Sequence, residues 1–404
     1  MKKISILGLG YIGLPSAAYY SKFNYHISGY DIDKDHIENL KNSKFDITEP
    51  GLSSLLKKQI KSKKLEFVDV LPKSDIYIVC VPTPLKKQKK VFKPDLSYLK
   101  HAIKSIKEAG VNKKTLILIE STCPVGTTEK VSKIFSDDNF PMIAYCPERV
   151  LPGNLLKELA SNERVVGGID TRSTNSAFNF YKNVIDSEVH KTDSNTAEMC
   201  KLVENSFRDT NIAFANEISL LSDKVGINAY ELINLANKHP RVNILEPGPG
   251  VGGHCIAVDP WFLINGFKSS SRLLETSRKV NDFKPKFVLK KLNEEVISFK
   301  KQNNREPKIA ILGISFKPDI DDIRESPSLD IAMAAKKNYK DVYVFDPYQK
   351  ECNDIDICKE EDIFKCDLFL FLVNHTHFHN SKFTKVFHTK NSLDFCNFTK
   401  SKVL

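Results

Sequence analysis

The 404-residue sequence has no apolar run near the ~20 residues that a membrane-spanning helix needs. Its longest apolar stretches, such as Leu368 to Val373, are far shorter. It has no Cys-x-x-Cys pair, no low-complexity segment and no repeat with a period of roughly 20–50 residues. These absences argue against a membrane span, a zinc ribbon and a solenoid. Hydrophobic residues make up 41% and charged residues 27%, an ordinary globular balance that excludes disorder. At about 150 residues per domain, the length predicts two or three domains.

The net charge of +10 comes mostly from lysine in short runs, such as Lys57, Lys58, Lys61, Lys63 and Lys64, and Lys86 to Lys90. A nucleic-acid binder more often interleaves arginine and aromatics on one face, so these runs read as a solvated surface. The nine cysteines are odd in number and several sit in strand-like apolar runs, such as Cys80 in IVCV. That pattern predicts buried thiols in a reducing, cytoplasmic compartment.

The start, MKKISILGLGYIGLPSAA, imitates a secretory leader. It also reads as a strand entering a glycine-rich turn, and the order of elements over the first 32 residues favours the turn. Lys3–Leu7 is apolar and strand-like. Gly8-Leu9-Gly10-Tyr11-Ile12-Gly13 opens a helical stretch to about Phe23, and residues 26–32 form a second strand ending near Asp31. Strand, GxGxxG, helix, strand and acid is a dinucleotide-binding pattern. Gly8 permits the tight turn, Gly10 lets the backbone approach a pyrophosphate, and Gly13 lets the helix pack closely. The helix N-terminus offers N–H groups and the positive end of its dipole. Asp31 suits a ribose 2′-OH and disfavours a 2′-phosphate, so NAD is the predicted cofactor.

Further strands at βα spacing are Asp75–Val81, Thr115–Glu120, Met142–Tyr145 and Arg164–Gly167. They predict a doubly wound parallel sheet, with ligands off the carboxyl ends of its strands. Three strand-end loops stand out on that basis: Pro82-Thr83-Pro84, Ser121 to Gly126, and Cys146-Pro147-Glu148-Arg149. From Asn195 to about Val225 the sequence turns helical. Val203, Phe207, Phe214, Ile218, Leu221 and Val225 form an apolar stripe, and Glu198, Lys201, Asn205 and Arg208 a polar one. This is a long connecting helix compatible with a dimer seam. A second α/β unit begins near Lys308, with strands Ile309–Leu312, Val342–Phe345 and Leu368–Val373, and lacks a full GxGxxG.

The strongest local signal is Gly248-Pro249-Gly250-Val251-Gly252-Gly253-His254-Cys255-Ile256-Ala257-Val258-Asp259-Pro260. The glycines suit close backbone approach to a ligand. Asp259 lies one helical turn after Cys255, so both could face one site if a helix starts there, and a cysteine at a helix N-terminus has more thiolate. His254 points to a ligand contact rather than a direct dyad with its neighbour. His375, His377 and His379 alternate in a loop, and we assign no metal to them.

The chain resembles the nucleotide-sugar 6-dehydrogenases, the UDP-glucose/UDP-N-acetylmannosamine dehydrogenase family, over nearly its whole length. The resemblance rests on GLGYIGLP (8–15), GYDID (29–33), EPGL (49–52), VPTP (81–84), ESTCPVGTT (120–128) and CPERVLPG (146–153). It continues through GPGVGGHCIAVDPWF (248–262), SFKPDIDDIRESP (315–327) and FDP (345–347). The form GGHC with PERVLPG resembles the branch acting on UDP-N-acetylhexosamines. IAVDPWF points within it to UDP-N-acetyl-D-mannosamine, with UDP-N-acetylglucosamine or UDP-glucose as alternatives. The stretch VNHTHFHN departs from the family's usual tryptophan-containing run.

The resemblance implies two Rossmann-like doubly wound domains joined by a long central helix. The expected division is residues 1–194 for NAD, 195–300 for a helical dimerisation domain and 301–404 for the UDP-sugar. It implies a homodimer or higher homo-oligomer and a four-electron oxidation of a sugar C6 alcohol by two NAD, serving surface polysaccharide precursors. Cys255 matches the nucleophile, Lys201 and Asn205 the oxyanion-stabilising pair, Asp259 an acid tied to base or water activation, and Glu148 with Thr122 the pair holding the hydrolytic water. Gly8, Gly10, Tyr11, Ile12, Gly13, Asp31, Pro82, Thr83, Thr122 and Arg324 fall on the cofactor side. Arg149, Val150, Leu151, Lys201, Asn205, Arg241, Gly252, His254 and Lys317 fall on the substrate side, with Arg241 reaching across the dimer.

Overall fold

The computed structural model describes residues 1–45, 49–88, 91–135, 139–150, 153–389 and 391–398. Leu151 and part of the lysine run 86–90 lie outside them. Two compact units form, one from Met1–Glu204 with Trp261–Gly266, the other from Asn205–Pro260 with Phe267–Leu404.

The first unit holds ten strands: β1 (Lys2–Leu7), β2 (Tyr25–Tyr30), β3 (Leu65–Val68), β4 (Ile76–Val79), β5 (Leu85–Gln88), β6 (Val91–Pro94), β7 (Leu116–Ile119), β8 (Met142–Tyr145), β9 (Arg164–Gly168) and β10 (Val189–Asp193). Eight of them form one sheet in the order β10-β9-β8-β7-β4-β1-β2-β3, while β5 and β6 make a separate hairpin. Alternate residues feed the two faces. Ile4, Ile6, Ile76, Ile78, Leu116 and Leu118 pack into one core, and Tyr77, Val79, Ile117, Ile119 and Ile143 into the other. Both faces are buried, which is why the strands read as continuous apolar runs.

The expected parallel sheet holds from β3 through β8. The β8–β9 pair is antiparallel, with Ala144 opposite Gly168 and Tyr145 opposite Gly167, and β10 runs alongside β9. A composition that fits a buried strand does not encode its direction. At the two edges of the sheet, β10 (VHKTD) carries too few apolar residues to register as a strand, and β3 (LEFV) is only four residues long.

The second unit holds a four-stranded parallel sheet, β12-β11-β13-β14, from β11 (Ile309–Leu312), β12 (Val342–Phe345), β13 (Leu368–Phe371) and β14 (Asn391–Asp394). A helix over Arg272–Asn303, unread in the sequence, lays Val288, Leu292, Val296 and Phe299 on this sheet. The helix Ser194–Val225 is 32 residues long, or about 48 Å. Its residues from Asn205 onward pair with the helix Arg272–Asn303 through buried polar groups. Arg278 Nη1 donates to Asp209 Oδ1 at 2.7 Å, Asn281 Nδ2 to Asp209 Oδ1 at 2.8 Å, Asn216 Nδ2 to Asn281 Oδ1 at 2.9 Å and Lys284 Nζ to Ser219 Oγ at 2.8 Å. The expected apolar stripe is turned outward: Phe207, Phe214 and Val225 are 69%, 51% and 69% exposed, whereas Glu198 and Asn205 are buried.

Burial pushes the Lys284 amine down to about 8, against the nearby Asp223 carboxylate. The unfolded amine keeps its proton up to its ordinary value of 10.5, so the unfolded chain binds more protons between the two values. Stability should therefore rise as pH goes from 8 to 10.5. Lys284→Met should raise stability at pH 7 by up to roughly 3 kcal/mol, the linkage of a shift of about 2.5 pH units. It should also flatten that rise, as read by thermal or denaturant unfolding at both pH values.

Candidate active site

In the first unit the predicted dinucleotide turn forms as read. Gly8 has φ +88°, and its N–H donates to Tyr30 O at 2.9 Å. A Cβ on Gly13 would lie 1.8 Å from Gly8 O, whereas one on Gly10 would meet nothing within 4 Å. The turn is tight at Gly8 and Gly13 and open at Gly10, where a pyrophosphate has to approach. The helix Gly13–Tyr20 has no side-chain cap at Ile12 and no acid in its first turn. Asp31 is half-buried at the end of β2. Its Oδ2 accepts from Leu9 N–H at 2.8 Å and its Oδ1 from Asp33 N–H at 3.1 Å, which fixes the carboxylate beside the turn. Open space over Gly10, an uncapped helix start and a fixed acid fit a dinucleotide. Tyr11 and Ile12 lie within this turn. Pro82, Thr83 and Thr122 follow β4 and β7 at the carboxyl edge of the sheet, with Thr83 and Thr122 half-buried.

The loop after β8 is built on Glu148, which is 6% exposed. Its Oε1 accepts from Arg149 N–H at 2.6 Å and Val150 N–H at 3.0 Å, and its Oε2 lies 2.5 Å from Arg164 Nη2. The Glu148 carbonyl accepts from Lys201 Nζ at 2.8 Å. The Arg149 guanidinium donates to Glu204 Oε1 at 2.7 Å and to Glu163 O, so it is engaged within the unit. Two buried carboxylates that sequence reasoning missed hold the neighbouring loops. Glu49, from the EPGL motif, accepts from Gly153 N–H at 2.9 Å and Leu155 N–H at 2.6 Å. Glu198 accepts from Gly126 N–H at 2.6 Å and from Thr128 N–H and Oγ1 at 2.7 and 2.6 Å. The motif around Glu49 was visible, but which amides it would hold was not. Glu198 read only as part of the polar stripe of its helix.

In the second unit, Cys255 lies in a turn over residues 254–259, and the helix starts only at Pro260. The expected helix at Cys255 is thus a single turn, closed by Asp259 N–H donating to Cys255 O at 2.8 Å. Pro260 belongs at the first helical position, so the helix proper begins there. Asn205 Nδ2 donates to the buried Asp259 Oδ2 at 2.5 Å. Cys255, Asp259 and Asn205 are therefore linked, and Lys201 is one turn before Asn205 on the helix Ser194–Val225. On their Cβ side, the glycines before Cys255 meet protein. A Cβ on Gly252 would lie 2.7 Å from Glu325 O, and one on Gly253 2.9 Å from the Phe316 ring. They let this segment lie against the SFKPDIDDIRESP stretch. His254, Lys317, Arg324 and Arg241 are exposed, and Arg324 is bound to Asp322, with Nε to Oδ1 at 2.9 Å.

Seven of the nine cysteines pack in or against apolar clusters. Burial pushes the thiols of Cys80 and Cys123 up, and that of Cys358 up to about 11. Cys200 donates to Glu204 Oε1 at 3.6 Å. Cys255 is half-buried and outside those clusters, which suits a reactive thiol better than its eight counterparts. His375 Nε2 lies 3.1 Å from Asp346 Oδ2, His377 Nε2 2.7 Å from Glu360 Oε2 and His379 Nε2 2.7 Å from Asn374 Oδ1. The three imidazoles thus have separate partners, and no metal-type cluster of three His, Cys, Asp or Glu occurs among the described residues.

Comparison with known proteins decides the family. Models of the UDP-glucose/GDP-mannose dehydrogenase family match in three parts: its NAD binding domain over residues 2–185, its central domain over 195–283 and its UDP binding domain over 310–401. The chain belongs to this family. It is an NAD-binding dehydrogenase. UDP-N-acetyl-D-mannosamine dehydrogenase of Campylobacter jejuni is 42% identical over 398 residues, covering 93% of this chain and 96% of the relative. NDP-N-acetyl-D-galactosaminuronic acid dehydrogenase of Ralstonia solanacearum is 40% identical, covering 93% and 92%. The solved UDP-D-ManNAc dehydrogenase of Pyrococcus horikoshii superposes with a TM-score of 0.88 at 35% identity, covering 98% and 96%. Among the described residues, no helix of the dehydrogenase is long and apolar enough to cross a membrane.

The closeness of Gly13 to Gly8 O gives a direct test. Gly13→Ala should open the turn and weaken NAD binding by roughly tenfold or more, about 1.4 kcal/mol, as read by calorimetric titration.

Proposed function

We propose that the enzyme oxidises the C6 alcohol of UDP-N-acetyl-D-mannosamine to the carboxylate, giving UDP-N-acetyl-D-mannosaminuronate for surface polysaccharide precursors in the cytoplasm. The observation that carries the chemistry is the one-turn link between half-buried Cys255 and buried Asp259, which is held in turn by Asn205. The substrate follows from the similarity to the Campylobacter jejuni and Pyrococcus horikoshii proteins. It also agrees with His254 standing where the UDP-glucose branch has a small residue.

NAD, when bound, accepts one hydride in each of two successive oxidations; the turn around Gly8, Gly10 and Gly13, with Asp31, Pro82, Thr83, Thr122 and Arg324, would hold it. The Cys255 thiolate adds to the aldehyde carbon and keeps the half-oxidised sugar covalently as a thiohemiacetal. Further oxidation leaves a thioester, because sulfur both adds to carbonyls and departs readily. Lys201 and Asn205 stabilise the developing oxyanion, the ammonium as a compact positive charge and the amide as a donor. Glu148 and Thr122 hold the water that cleaves the thioester, with Asp259 assisting proton transfer. Arg149, Val150, Leu151, Arg241, Gly252, His254 and Lys317 contact the nucleotide sugar. The N-terminal part, residues 1–194, carries the cofactor, 195–300 joins and dimerises, and 301–404 carries the UDP moiety. The outward stripe of Val203, Phe207, Phe214, Leu221 and Val225 supports a homodimer or higher homo-oligomer, since an apolar face of this kind gains by being covered.

A panel of UDP-sugars followed at the NADH absorbance band tests the assignment. UDP-N-acetyl-D-mannosamine should give two NADH per sugar. Two NADH from UDP-glucose or UDP-N-acetylglucosamine, and none from the mannosamine sugar, would move the assignment to that alternative.

A further inference from the structure

The one antiparallel neighbour pair in the main sheet has a chemical consequence. Strands β4, β7 and β8 end at the carboxyl edge, where Cys80, Glu120 and the 146–150 loop stand. β9 runs the other way and so brings its first residue, Arg164, to that same edge. The register pairs Ala144 with Gly168 and Tyr145 with Gly167, and continued outward it sets Glu148 opposite Arg164. The ion pair is formed: Arg164 Nη2 is 2.5 Å from Glu148 Oε2, with side-chain exposures of 1% and 6%.

The surroundings are closed and polar. The guanidinium lies 5.3 Å over the Tyr181 ring, and Tyr181 Oη donates to Glu120 Oε1 at 2.6 Å. Cys80 Sγ is 3.3 Å from Glu120 Oε2, and Tyr20 Oη 3.4 Å from Glu120 Oε1. The buried Arg164 cation thus pairs with Glu148 and acts electrostatically on buried Glu120. Burial holds Glu120 above the usual carboxylate range even with Arg164 nearby. Replacing a buried ion pair with apolar side chains is often neutral or stabilising, so fold stability alone gives no reason to bury a guanidinium here. The Glu148 contacts supply one. Its carboxylate carries the amides of Arg149 and Val150, and its carbonyl carries the Lys201 ammonium at 2.8 Å.

We propose that Arg164 is a positioning residue for the oxidation: by clamping the Glu148 carboxylate it sets both that carboxylate and, through the Glu148 carbonyl, the Lys201 ammonium. This rests on the reading of Lys201 and Glu148 as reaction-site residues. Lysine at 164 keeps the charge but replaces the guanidinium, which reaches Glu148 Oε2 and lies over the Tyr181 ring, with a compact ammonium. A shift of about 1 Å in a reacting group can cost on the order of 100-fold.

Arg164→Lys should lower kcat for UDP-N-acetyl-D-mannosamine by roughly 10- to 100-fold. KM and NAD affinity should stay within about threefold of the parent, a split that general loosening of the fold would not give. Because Arg164 acts through Glu148, adding Arg164→Lys to Glu148→Gln should change kcat by less than about threefold. A kcat for Arg164→Lys within about threefold of the parent overturns the proposal, as does a loss that multiplies in the Glu148→Gln background or one matched by lost NAD affinity. Should Arg164→Lys fail to fold, Glu148→Asp carries the test. It keeps the charge but draws it back from Arg164, and a kcat within about threefold of the parent overturns the proposal. Lys201→Met separates the two levels. Parent-like turnover there removes the underlying site reading; an inactive Lys201→Met beside an unimpaired Arg164→Lys removes only the role of Arg164.

Discussion

Buried or half-buried carboxylates that accept main-chain N–H groups recur in the strand-end loops of this protein. Asp31 fixes the dinucleotide turn, Glu49 the segment at Gly153 and Leu155, Glu148 its own following amides, and Glu198 the loop at Gly126 and Thr128. Asp346 does the same in the second unit, taking the N–H of Ile314 at 2.8 Å and of Tyr348 at 2.9 Å. Strand-end loops present amides that no ladder satisfies, and an unpaired buried amide is costly. A charged acceptor makes roughly twice as strong a bond as a neutral one and can hold two amides at once. The loops that carry Thr122, Glu148 and Asp31 are thereby fixed by the fold itself.

The two Rossmann-like halves use this device in parallel. Gly8 and Gly313 have φ values of +88° and +87°, and each donates its N–H to the end of the neighbouring strand at 2.9 Å. Each is followed by an amide bonded to an acid closing the second strand, Leu9 to Asp31 and Ile314 to Asp346, both at 2.8 Å. They differ in access. Asp31 stays half-buried, while Asp346 is buried under His375, whose Nδ1 accepts from Asp319 N–H at 3.0 Å. With Nδ1 accepting, the Nε2 proton is directed to Asp346. The second half keeps the turn and closes its acid to a ribose.

Much of this was legible in the sequence. The GxGxxG turn, the central strands and the Cys255–Asp259 spacing follow from local periodicity and glycine chemistry. What was not legible depends on tertiary partners. The direction of β9 is invisible because a buried strand has the same composition either way, so Arg164 could not be placed. The stripe Val203, Phe207, Phe214 has helical spacing, yet spacing does not say whether core or solvent receives it. That glycines 252 and 253 make room for Glu325 and Phe316 depends on the fold and is not written in their spacing. The helix Arg272–Asn303 escaped notice because the first half of its buried face is polar, with Arg278, Asn281 and Lys284 where a sequence reader looks for leucine.

The central claim is that Cys255 holds the half-oxidised sugar covalently. Its most direct test is an acid quench during turnover of UDP-N-acetyl-D-mannosamine with NAD, followed by peptide mass mapping. The account predicts a sugar-acyl mass on the peptide containing Cys255, released by hydroxylamine as a thioester is, and loss of the acid product when Cys255 is replaced by alanine. Acid product formed at the parent rate by the alanine variant, or the adduct mapped to another cysteine, would contradict it.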